Sequence, residues 1–230
     1  MRGKFLLLLT MIMLPLPTLA EQDIAGVWIL SGPGTESEVL LTAEGVRIQA
    51  EYDLLVDDPS LYCTPASAAR VWANPNALIK IEQSSRAILI SYELFDLRRE
   101  IPFADETELP DQPSTRNLAG RYFPEMGSSV ATFEADRLVV LSKNHAPGFI
   151  RTSRGIPQSA STVTREEFSL QQDGLKIIHT YEDPKLFEKP LVLEYFFKRS
   201  TATDVALYDC TDANYDWFNE LNEGQSGANP

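Results

Sequence analysis

Histidine and cysteine are nearly absent, with two of each in 230 residues. His145, His179, Cys63 and Cys210 are scattered along the chain, without the short spacings that bring zinc ligands together. No Gly-x-Ser-x-Gly elbow, phosphate-binding loop or His-Glu-x-x-His occurs. Hydrolases, nucleotide enzymes and zinc proteases of those types are therefore excluded at the level of motif. The acidic run from Asp105 to Asp111 lacks the ligand spacing of a calcium loop and reads as a solvated segment. Nothing calls for a metal or a cofactor. Positive charge is also scarce: 20 Lys and Arg stand against 33 Asp and Glu, a net charge of −13. Such an excess repels nucleic acid and anionic membrane surfaces.

Long apolar runs are missing too, apart from one at residues 5–16, behind Arg2 and Lys4. About a dozen residues cannot cross a bilayer, which takes about 20. Pro15, Pro17 and the small residues up to Ala20 complete the layout of a cleaved secretory signal. The expected mature chain starts at Glu21, carries no lipoprotein cysteine, and loses two positive charges to reach −15 from −13. It forms one β domain over 21–222, followed by a disordered tail over 223–230. Export to an oxidising compartment makes a Cys63–Cys210 disulfide the expectation. The predicted location is the periplasm of a Gram-negative envelope or the exterior, with no membrane insertion after cleavage.

What is present is alternation. Val46, Ile48, Ala50, Tyr52 and Leu54 share one parity and Arg47, Gln49, Glu51 and Asp53 the other, the period of a half-buried strand. Residues 77–81 and 88–92 repeat it around a polar turn at 83–85, a hairpin signal. Further strands are expected over 24–30, 37–41, 95–103, 130–134, 137–142, 163–170, 174–182, 191–198 and 205–209. Asp173-Gly174 is a two-residue hairpin turn by chemistry. No ten-residue stretch shows a clear 3.6 period, although a short helix around 215–221 is compatible with Trp217, Phe218 and Leu221. Polar segments at 105–117 and 143–161 read as two long loops. The fold class is all-β: an antiparallel meander of about ten strands, as a barrel or a curved sandwich.

Gly26-x-Trp28 in the first strand resembles the opening of lipocalin-type barrels. A wider set of stretches resembles a family of secreted, β-rich bacterial proteins of uncharacterised function. Its pattern Gly-His-Ser-x-Gly-x-Trp-Glu-Gly-Asp-x-Leu-Val-Val-Asp stands here as residues 127–141, with Ser128 for the His and Leu141 for the final Asp. Glu166-Glu167-Phe168, Glu182-Asp183-Pro184-Lys185, Cys210-Thr211-Asp212-Ala213-Asn214 and Cys63-Thr64-Pro65 parallel further motifs, and Pro157-Gln158-Ser159 replaces a Pro-His-Ser. The resemblance implies a fold and carries no chemistry.

Candidate site residues follow from parity and loops. His179 shares a face with Leu175, Ile177 and Tyr181 and should point inward, where Tyr181 and Tyr195 could join it around a small ligand; a hydrogen-bonded core histidine is the plainer alternative. His145, Arg151 and Arg154 sit in the second long loop, read either as a lid meeting an anionic ligand or as a solvated loop with surface ion pairs. Arg98 and Glu100 on one face of their strand, with Arg99 on the other, suggest cross-strand ion pairs only. The leading functional reading is a periplasmic ligand-binding or accessory protein that uses a barrel cavity or its loop-covered mouth. The alternatives are a cofactor-independent isomerase, lyase or cyclase on the same barrel with a histidine acid/base, and an interaction module for a protein partner in an envelope assembly.

Overall fold

The computed structural model describes residues 23–211 apart from Asp173 and Asp209. The expected signal segment, the helix around 215–221, the tail and Asp173 of the hairpin turn lie outside the described residues.

β1 (Gly26–Leu30) and the short β2 (Thr35–Glu36) are followed by three helices: α1 (Ala43–Glu51), α2 (Leu54–Asp57) and α3 (Ala68–Trp72). Strands then dominate: β3 (Leu78–Gln83), β4 (Ala87–Tyr92), β5 (Leu97–Pro102), β6 (Thr115–Asn117), β7 (Ser128–Glu134) and β8 (Arg137–Lys143). A small hairpin of β9 (Gly148–Arg151) and β10 (Ile156–Gln158) precedes β11 (Val163–Gln171), β12 (Gly174–Glu182) and β13 (Leu191–Arg199). One eleven-stranded sheet runs β6-β5-β4-β3-β1-β13-β12-β11-β8-β7, with β2 also on β13 and every pair antiparallel. Its two ends meet. Ala104 N–H donates to the Ala131 carbonyl at 3.2 Å, Ser114 N–H donates to that of Gly127 at 3.0 Å, and Phe103 bridges Ala131. The all-β expectation holds, and the closure makes the sheet barrel-like.

Alternation of buried residues with half-buried or exposed ones along β11, β12 and β13 defines the inner wall, the signature of a sheet with one face on the core. α3 enters this wall. Its Trp72 ring meets Tyr92 at 5.4 Å, Phe168 at 5.7 Å and Phe197 at 5.1 Å, edge-on in each case. These partners belong to β4, β11 and β13, so Trp72 fills the space between the walls. Ser67 caps α3 through the Arg70 N–H, and Ala69 N–H donates to the Tyr181 hydroxyl at 3.1 Å, which fixes how far the helix enters. Trp28 is buried beneath Arg199, whose guanidinium lies 4.4 Å from the ring centroid.

Four sequence expectations are corrected. Residues 46–54 are not a strand. Thr42 caps α1 by accepting from Gly45 N–H, and Arg47 pairs with Glu44 and Glu51, three and four residues away; these local bonds outweigh an alternation whose first member, Val46, is 53% exposed. Residues 37–41 form no strand, although Ser37 N–H donates to the Val192 carbonyl and Leu41 makes an isolated bridge to Phe187. Residues 205–208 form no strand. The segment 143–161 is no structureless loop: β9 and β10 pair within it, and Ile150, Ile156 and Gln158 are buried. Three small irregular helices also interrupt what reads as loop or strand, at Leu94–Asp96, Glu106–Glu108 and Thr152–Arg154.

Candidate functional site

Two charged side chains point into the barrel. Arg99 has the parity of Leu97 and Ile101 on β5, and Glu166 that of Thr164 and Phe168 on β11. Both are fully buried and paired, with Nη2 to Oε1 at 2.7 Å and Nη1 to Oε2 at 3.0 Å. Arg99 also donates to the Ser129 and Ser142 hydroxyls, each at 3.0 Å. Its role thus reaches across the barrel, not to the strand neighbours expected from sequence. Burial works to raise the Glu166 pKa, but Arg99 outweighs it and holds the carboxyl below its ordinary value.

His179 stands 3.8 Å from Glu166, fully buried, with neither ring nitrogen hydrogen-bonded. Burial pushes its pKa down to about 4 against the opposing pull of Glu166, so the ring is neutral at pH 7. The Tyr92 hydroxyl and Trp72 Nε1 border the same group without a regular hydrogen bond. His145 approaches from the far side. It is buried, not solvated as expected, with Nδ1 3.1 Å from the Glu125 carbonyl and Nε2 3.1 Å from Thr164 Oγ1. Its pKa is lowered, chiefly by burial.

The cluster continues to Tyr195, itself buried beneath the wall of a surface cleft. The Tyr195 ring lies edge-on to His179 at 5.7 Å, and its hydroxyl accepts from Arg151 Nη1 at 2.7 Å. A local detour of the chain covers it. β1 runs along β13 to Leu30 opposite Phe197, Ser31 N–H bonds the Phe196 carbonyl, and β2 resumes with Thr35 opposite Glu194. Residues 32–34 thus bulge out opposite Tyr195 alone. Gly34 is required there, because a Cβ would stand 2.3 Å from the Tyr195 ring and 2.6 Å from the Glu194 carbonyl oxygen. The bulge walls a cleft of about 510 Å³, completed by Glu36, Ala73, Pro75, Asn76 and Arg151. That volume is in the range of small-molecule sites.

Of the predicted residues, Arg151, Tyr195 and His179 come together. Tyr181 instead holds α3. Arg154 pairs with Glu36, which also lies 3.7 Å from Arg151; the acid that balances this loop comes from β2, so its positive patch is not free as its local sequence suggests. Lys143 likewise pairs with Glu106. Cys63 and Cys210 are bridged, with Cα atoms 5.9 Å apart. Sequence reasoning missed Arg99 and Trp72, and took Glu166 only as part of a motif. Parity could have found the ion pair: opposite charges on the apolar faces of two strands have few fates but each other. Among the described residues no group of three or more His, Cys, Asp or Glu is placed to hold a metal, and no helix is long and apolar enough to cross a membrane.

No family model and no curated protein matches the sequence. Among solved structures, a mutant of the fluorescent protein UnaG is similar with a TM-score of 0.36 and 12% identity, over 77% of this chain and 96% of that one. A likeness of that size adds nothing to what the sheet topology itself shows.

Proposed function

We propose that this is an exported binding protein of the bacterial envelope, which receives a small molecule bearing an acidic group in the cleft over Tyr195. The observation that carries the reading is Arg151, which donates to Tyr195 on the wall of a cleft opened by a bulge in the chain. Arg151 and Arg154 share one carboxylate, Glu36. Two guanidinium groups against one acid leave a net positive charge to meet an anion, in a protein that is otherwise strongly acidic. The disulfide and the signal-like residues 1–20 support export. Trp72 takes up the barrel interior, so the mouth and not a central cavity serves as the site.

The enzyme reading is weaker because neither imidazole reaches a solute: His179 is 0% and His145 5% exposed. A docking role has one observation in its favour. Leu54, Leu55 and Val56 on α2 are 46–61% exposed side by side, and such patches mark contact surfaces.

A native mass spectrum of protein purified from its own host should carry a small acidic ligand. Replacing Arg151 and Arg154 by Ala should release it, at a stability cost of about 1–3 kcal/mol because the Tyr195 hydroxyl and Glu36 lose their partners. A ligand seated away from Arg151 and Tyr195, and indifferent to the double change, would overturn the assignment. N-terminal sequencing of the exported form should begin at Glu21.

A further inference from the structure

A second cleft, also about 510 Å³, lies beside α3 and includes Arg70, Asn74, Phe95, Tyr208 and Cys210 in its lining. It shares no lining residue with the cleft over Tyr195. Three features set it apart from an ordinary surface hollow.

The first is Arg70. Among the described residues it is the only partly buried basic side chain with no hydrogen bond, ion pair or ring contact. The other half-buried or buried cations are engaged: Lys80, Arg99, Lys143, Arg151, Arg165 and Lys176 meet side-chain partners, and Arg98 donates to the Leu97 carbonyl. Asp58 lines the same cleft but spends a carboxylate oxygen on Ser60 N–H, and forms no ion pair with Arg70. A guanidinium kept partly out of water without a counter-charge is poised for one.

The second is backbone strain. Phe95 and Asp96 both have positive φ, +57° and +53°, a conformation that a bulky residue such as Phe rarely takes. It is held by Tyr208, whose N–H donates to Asp96 Oδ1 at 3.0 Å. The outcome is an aromatic pair on the cleft wall: the Phe95 and Tyr208 rings meet edge-on at 5.5 Å. The third is the disulfide. Tyr208 belongs to no strand and is tied to the body two residues later by Cys210 to Cys63, so an oxidised bridge keeps that wall in place.

We propose that this cleft is a second ligand site, selective for an aromatic carboxylate. The carboxylate would take the fork of Arg70, and the ring would pack against Phe95 and Tyr208. Its lining is separate from that of the cleft over Tyr195, although the Arg70 charge is felt at the Tyr195 hydroxyl.

The test is isothermal titration of the full, oxidised protein with 3-phenylpropionate, and with 3-phenylpropanamide as the uncharged control. Binding of the acid is expected, with the amide weaker by about tenfold or more, the usual worth of a charge-assisted pair. Arg70→Ala should bring the acid down to the level of the amide without moving the melting temperature, since Arg70 holds nothing in the fold. Arg151→Ala should leave this binding unchanged, and so separates it from the site over Tyr195. Reducing the disulfide in a sample that circular dichroism shows still folded should weaken it. No heat with 3-phenylpropionate up to ~10 mM, where even weak specific sites are seen, would overturn the proposal. So would equal binding of acid and amide, or an Arg70→Ala variant that binds like wild type.

Discussion

Glu166→Gln isolates the energetics of the barrel interior. The amide matches the carboxylate in shape, so the packing around Trp72 and Phe168 should survive and only the charge is lost. At an effective dielectric constant of 20, unit charges 2.7 Å apart attract by about 6 kcal/mol. Part of this returns through a hydrogen bond from Arg99 to the Gln oxygen, and Ser129 and Ser142 still receive the guanidinium. The remainder agrees with the ~3–5 kcal/mol lost when one partner of a buried pair is removed. Urea unfolding with the disulfide intact should show the midpoint falling by that energy divided by the slope, the slope itself unchanged, and heating a lower melting temperature by roughly 10 °C. Arg99→Met combined with Glu166→Leu should behave oppositely. Both charges go, the Ser129 and Ser142 hydroxyls keep their mutual bond at 2.9 Å, and stability should return to near wild type or exceed it. If Glu166→Gln costs less than about 1 kcal/mol, or the double variant is as unstable as the single, the pair does not carry the uncompensated-charge penalty assigned to it.

Three further outcomes are expected. His179, with its folded pKa lowered to about 4 from 6.5, binds its proton in the unfolded chain first. Stability should therefore fall as pH drops from about 6.5 towards 4, by about 3 kcal/mol in all; urea midpoints at pH 7, 6 and 5 should show it, and His179→Gln should flatten the slope, leaving the smaller share of His145, which is shifted the same way. Gly34→Ala forces a methyl group into the Tyr195 ring, and should cost about 1–3 kcal/mol as overpacking does while loosening any ligand over Tyr195; unchanged stability and binding would mean that the bulge yields freely. Cys210→Ser opens a loop of 147 residues, worth about 5 kcal/mol of chain entropy, and calorimetry should show melting lowered by on the order of 10–20 °C.

Much of the sheet was legible in the sequence, because alternation on β3, β4, β11, β12 and β13 corresponds to real burial on one face. The same rule failed at Val46–Leu54, where parity was coincidental and helix-forming contacts at three and four residues, Arg47 with Glu44 and Glu51, decided the outcome. α3 left no periodic trace: five residues are too few, and Trp72 matters through partners on three distant strands. At the candidate site, His179 and Tyr195 could be placed inward by parity. The bond of Tyr195 to Arg151 and the pairing of Arg151 and Arg154 with Glu36 could not, since these join segments that meet only once β2 lies on β13.

The disulfide has a mechanical consequence. A tensile load applied to the two ends of the chain would pass from Cys63 straight across to Cys210, and the intervening segment, with every strand from β3 to β13, would carry none of it. Among the described strands, only β1 and β2, before Cys63, can be drawn out. β1 is held by β3 on one side and β13 on the other, and β2 by β13, so pulling would peel a single ribbon out of the middle of the wall. An oxidised molecule stretched by its ends should show one short extension and then stiffen like a tied cord. A reduced one should pay out its whole length.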